Sequence, residues 1–149
     1  MPHLVILYTA NLDRPAAEGG GDMTVLCRKL ADAMLAARDE AGAAVFPPGG
    51  TRVLAYPAAH SAIADGGAVG RAAGGSGDYA FVYLQLRMAR GRSAAVHETI
   101  GCALEACTKA HFAPLLARSH IGITLQIDEG HEVFDAKNSS LHPLFKPPA

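Results

Sequence analysis

The sequence predicts an α/β fold: two βαβ units forming one four-stranded sheet, with two helices on one face and the other face covered by further copies of the chain. Three observations carry this. Short apolar, β-branched runs and helix-spaced apolar runs succeed one another as strand–helix–strand, twice. A Gly/Ala-rich stretch, residues 58–77, separates the two halves. The first strand is apolar on both faces and the third carries aromatics on its second face, the pattern of strands buried on both sides.

Leu4-Val5-Ile6-Leu7-Tyr8 is too short and too branched for a helix and reads as a strand. Residues 14–22 are a loop broken by Pro15 and Gly19-Gly20-Gly21. Asp22 then caps a helix whose Met23, Leu26, Leu30, Ala33, Met34 and Ala37 recur three or four apart, with Gly42 as its stop. Residues 51–56 are a second strand, closed by Pro57. Residues 58–77 hold hardly a large side chain and read as an insertion loop, either a flexible segment or a lid. Residues 79–88 alternate Ala80, Val82, Leu84, Leu86 and Met88 against Tyr79, Phe81, Tyr83, Gln85 and Arg87, a third strand. Ser93 caps a long helix carrying Val96, Ile100, Leu104 and Cys107, which Pro114 bends or restarts near its end. A fourth strand alternates Ile121, Ile123, Leu125 and Ile127 with polar or small residues. The tail beyond it is polar apart from Leu141, Leu144 and Phe145.

A βαβ crossover is right-handed, so two of them place both helices on the same side of the sheet. The chain of 149 residues fits one domain, 1–149, and a chain of that size buries about 70 % of its unfolded surface. Thirteen Lys and Arg against fourteen Asp and Glu leave no basic excess for nucleic acid. No apolar run reaches the roughly 20 residues of a membrane span. Three cysteines without a CxxC spacing fit buried thiols in a reducing cytoplasm.

Most catalytic motifs are missing. The seven histidines form no HxH or HExxH spacing, so no metal site is expected. Gly74-Gly75-Ser76-Gly77 precedes a strand instead of opening a helix, which excludes both a nucleophile elbow and a dinucleotide loop. Two features remain. Pro2 becomes the amino terminus when Met1 is removed, and a terminal secondary amine titrates near enough to neutrality to act as a base. Gly91-Arg92-Ser93 lies where a strand hands over to a helix, so that free amides and a guanidinium converge on an anion, with Arg90 and Arg87 beside Arg92 in the same candidate anion site. With Arg52 these sketch a base facing an acidic substrate; a solvated basic patch is the plainer alternative.

Further residues carry a family likeness. Met1-Pro2-His3 leads into an apolar strand and Asn11, and Val45-Phe46-Pro47 is followed by Gly50-Thr51-Arg52. Asp78-Tyr79-Ala80-Phe81-Val82 runs on to Gly91-Arg92-Ser93, then His111-Phe112-Ala113 and His142-Pro143-Leu144-Phe145-Lys146. This set, spread over nearly the whole chain, resembles the 5-carboxymethyl-2-hydroxymuconate Δ-isomerases of the tautomerase superfamily. The resemblance implies an α+β tautomerase-like fold, a homotrimer and a cofactor-independent isomerisation of a carboxylated muconate in homoprotocatechuate catabolism. It implies Pro2 as the proton shuttle, Arg92 as a catalytic group on a carboxylate or oxyanion, and Arg52 as a substrate-binding cation. Residues 58–77 depart from the family pattern and would reshape the pocket rim. A dehalogenase, hydratase or decarboxylase of the same superfamily is therefore the second reading, and a non-catalytic trimer binding a small acid the third.

Overall fold

The computed structural model describes residues 2–145. Four strands, β1 (His3–Thr9), β2 (Arg52–Ala58), β3 (Tyr79–Ala89) and β4 (His120–Gly130), form one sheet in the order β2-β1-β3-β4. β1 pairs parallel with β2 and β3 parallel with β4, as βαβ units require, and the two units join through an antiparallel β1–β3 pair. The helices α1 (Met23–Ala36) and α3 (Ala94–Leu116) pack on each other, α1 against β2 and α3 against β4.

The core lies between these helices and one sheet face. Leu4, Ile6, Val82, Leu84 and Leu86 are fully buried there against Leu26, Leu30, Ile100, Leu104 and Phe112. The period-2 and 3.6-residue patterns point these side chains inward. The opposite face is open. Val5, Leu7, Leu54, Tyr56 and Phe81 share it, with Leu7 47 %, Leu54 44 % and Tyr56 49 % exposed. So large an apolar face marks an interaction surface.

Four expectations are corrected. Pro57 does not close the second strand: it lies inside β2, paired in register with Tyr8. β2 is an edge strand, so the missing N–H can face solvent without breaking a ladder. Helix α1 ends at Ala36, well before Gly42, because Asp39 forms a turn by accepting from the amides of Ala41 (2.9 Å) and Ala43 (2.8 Å). Pro114 does not restart α3, which runs unbroken to Leu116; in the last turn the ring removes only one bond near the end.

The fourth correction concerns residues 58–77, which contain a short helix, α2 (Ala68–Ala72). Asp65 starts it by accepting from the amides of Gly67 (3.0 Å) and Val69 (2.8 Å), and Gly70 donates to the Tyr79 hydroxyl at 2.9 Å. Those bonds to the ionised carboxylate, the Val69 amide first, hold Asp65 below its ordinary pKa. A depressed carboxyl pKa contributes stability above the unfolded-state value and loses it as pH falls through the folded one. Exchange protection factors at Gly67 and Val69, corrected for the intrinsic rate, are therefore expected to fall on acidification before those of the sheet amides do. Unchanged protection down to global acid unfolding would refute this role for Asp65.

Candidate active site

Topology gathers the candidate residues. Because β1 and β3 run antiparallel, the start of β1 lies beside the end of β3, and parallel pairing brings the starts of β1 and β2 together. One end of the sheet therefore carries Pro2 ahead of β1, Arg52 at the start of β2 and Arg92 three residues past β3. Pro2 is buried. The next residue, His3, stands in register between Arg52 and Arg87 on the open face.

The electrostatics of that end are cationic. Burial, then the amino-terminal charge, Arg52 and Arg87, push the His3 pKa down, with Asp135 opposing.

Arg92 is fixed by its own backbone surroundings. Gly91, at φ +95°, makes the turn out of β3, a conformation that a side chain would strain. Arg92 Nη1 then donates to Ala89 O (2.8 Å) and Nη2 to Val45 O (3.1 Å), while its guanidinium carbon lies 5.8 Å from the centre of the buried Phe46 ring. A guanidinium carries five N–H donors, so two bonds orient it without exhausting it. Arg52 Nη1 donates to Gly50 O at 2.9 Å. The two arginines thus grip opposite ends of the same connection, Val45 at one end and Gly50 at the other. Arg92 lines a groove of about 460 Å³ with Glu40, Val45, Arg90 and Ser93. Ser93 accepts from Val96 N (3.2 Å) as the α3 cap and gives its hydroxyl proton to Glu40.

Residues around this end escaped the sequence reading. Glu40 and the His97–Glu129 pair (3.4 Å) come from segments far apart in the chain, and no spacing marks them. The correction to residues 58–77 extends here. Helix α2 packs beside Tyr79, where β3 begins, at the opposite end of the protomer's sheet from Pro2. Within one protomer it does not form the rim of this site. Among the described residues no three His, Cys, Asp or Glu side chains group as metal ligands would, and no helix is long and apolar enough to cross a membrane.

Residues 2–145 match the family model of 5-carboxymethyl-2-hydroxymuconate isomerase. The chain belongs to that family. A 5-carboxymethyl-2-hydroxymuconate Delta-isomerase of Escherichia coli is 27 % identical over 146 residues, 98 % of this chain and 100 % of the relative. A crystal structure of a 5-carboxymethyl-2-hydroxymuconate delta-isomerase is 58 % identical with a TM-score of 0.93, covering 100 % of this chain and 95 % of the other. A fused 4-OT solved as a symmetric trimer, 20 % identical, shares the fold with a TM-score of 0.52 over 97 % of this chain and 99 % of its own. The family is one of isomerases, and its sheet-and-helix arrangement is the tautomerase fold read from the sequence.

Proposed function

We propose that this isomerase-family chain converts the dienol 5-carboxymethyl-2-hydroxymuconate into its conjugated ketone, with the Pro2 nitrogen as proton shuttle once Met1 is removed; Met1 lies outside the described residues. The reading is carried by the convergence of Pro2, Arg52 and Arg92, from three separate segments, at one end of the sheet. The neutral amine takes the proton of the 2-hydroxyl. The O–H pair becomes the C2=O bond, the C2=C3 pair moves to C3=C4, and the C4=C5 pair takes a proton from the Pro2 ammonium at C5. Atoms and charge balance, and the amine returns neutral.

Arg92 answers the charge that develops on the C2 oxygen or the adjoining carboxylate, where a preoriented donor contributes most to the barrier. Arg52 holds a further carboxylate and keeps the amine unprotonated. The open face of Val5, Leu7, Leu54, Tyr56 and Phe81 is covered by two further copies in a homotrimer, which removes that apolar area from water. No cofactor enters the scheme, the partner is a small polycarboxylate, and the reaction suits the cytoplasm.

The test is the ultraviolet change of the dienol on adding protein whose intact mass shows that Met1 is gone. Turnover well above the buffer rate is expected. Correctly processed protein that leaves the dienol untouched would remove the muconate assignment.

A further inference from the structure

The substrate of the reading above presents a mismatch with the two arginines it uses. A muconate is a six-carbon dienedioate, and the carboxymethyl arm on C5 adds a third carboxylate. We infer that Arg87 is the third cation of the site and binds the carboxymethyl carboxylate; this rests on the proposed muconate isomerisation.

Arg87 flanks His3 on β3 as Arg52 flanks it on β2, all three on the open face at the Pro2 end. Two strand spacings put the Cα atoms of Arg52 and Arg87 about 10 Å apart. A pair of long side chains on such a base matches the pair of carboxylates that branch at C5, leaving Arg92 for the oxygen end. Asp128, the register neighbour of Arg87, is engaged elsewhere: Gln85 Nε2 donates to it at 2.6 Å. The ion pair that Arg87 makes is a loose one, Nε to Glu132 Oε1 at 3.9 Å, too long for a hydrogen bond. In the single protomer its side chain is 55 % exposed, and no hydrogen bond from its guanidinium to the protein is formed at that loose pair.

The placement is also built. The Arg87 side chain passes over Gly130, where a Cβ would stand 2.8 Å from Nε. Glycine at that position leaves the room the guanidinium occupies. Arg28, an exposed cation of α1 paired with Asp32 at 2.6 Å, lies outside the site and serves as the control.

The experiment compares Arg87→Gln, Arg87→Lys and Arg28→Gln with the unmodified protein on two dienols. One is 5-carboxymethyl-2-hydroxymuconate and the other is 2-hydroxymuconate, which lacks the arm. A charge-assisted bond to a carboxylate in a half-exposed site is worth roughly tenfold in KM. Arg87→Gln is expected to raise KM for the three-carboxylate dienol by about that factor with kcat nearly kept, since the bond serves ground and transition states alike. KM for 2-hydroxymuconate stays unchanged, Arg87→Lys recovers most of the loss, and Arg28→Gln changes neither substrate. An unchanged KM in Arg87→Gln, an equal loss on both dienols, or an equal loss in Arg28→Gln overturns the assignment and leaves the proposed function standing. Failure of the unmodified protein to turn over either dienol overturns both.

Discussion

Protein that retains Met1 ahead of Pro2 is expected to lose roughly 10²- to 10⁴-fold in kcat, the contribution of a positioned general base. Retention converts the Pro2 nitrogen into an amide, whose lone pair is delocalised and takes no proton near neutral pH. Nothing else at the site need change, because Pro2 stays in place at the head of β1. Pro2→Ala probes the same nitrogen more gently. An alanine amine keeps the basicity but loses the ring that fixes its direction, so its loss lies toward the lower end of that range. The pH profile supplies an independent check. An α-amino group ordinarily titrates near ~7.7–8.0. Only the neutral amine accepts the proton, so kcat/KM falls as pH drops through the titration of that amine. Full activity in Met1-retaining protein would end the proline mechanism.

Arg92→Gln is expected to lower kcat by roughly 10²- to 10³-fold, the usual cost of removing one donor from a developing oxyanion. The substitution keeps a polar side chain but loses the guanidinium that bonds Ala89 O and Val45 O and lies over Phe46. Two effects combine: the charge opposite the C2 oxygen disappears, and the connection from Val45 to Gly50, which Arg52 grips at its other end, loses an anchor. Arg92→Lys separates them, because a point charge cannot span two carbonyls as a planar fork does. The check is steady-state kinetics beside thermal unfolding. A fall in kcat at unchanged melting temperature assigns the loss to chemistry; a KM effect alone would refute an oxyanion role.

The fold was legible because its elements carry their own periodicities. The alternation of Ala80 to Met88 and the spacing of Met23, Leu26, Leu30 and Met34 survive into the structure as buried faces of β3 and α1. Punctuation was less dependable. Pro57 reads as a stop, and only its position on an edge strand makes it harmless. Gly42 reads as a helix end, yet the Asp39 side chain ends the local structure earlier. Residues 58–77 lack large side chains, so nothing in their composition announces α2. Its order comes from Asp65 and from the Tyr79 hydroxyl on a neighbouring strand.

The site divides along the same line. Pro2, Arg52 and Arg92 are visible in the sequence because each stands at a chemically marked place: the amino terminus, and two strand ends within quoted motifs. By itself the sequence determined the strand–helix order, the apolar second face of the sheet and the family. The tertiary structure alone decided which strand ends meet. The β1–β3 pairing joins residues more than seventy positions apart and sets Arg87 opposite His3, while α2 falls at the far end of the same sheet. Periodicity is a local property of the chain. Register between distant strands comes from the packing of the whole core, and that is where the cationic end of the sheet is made.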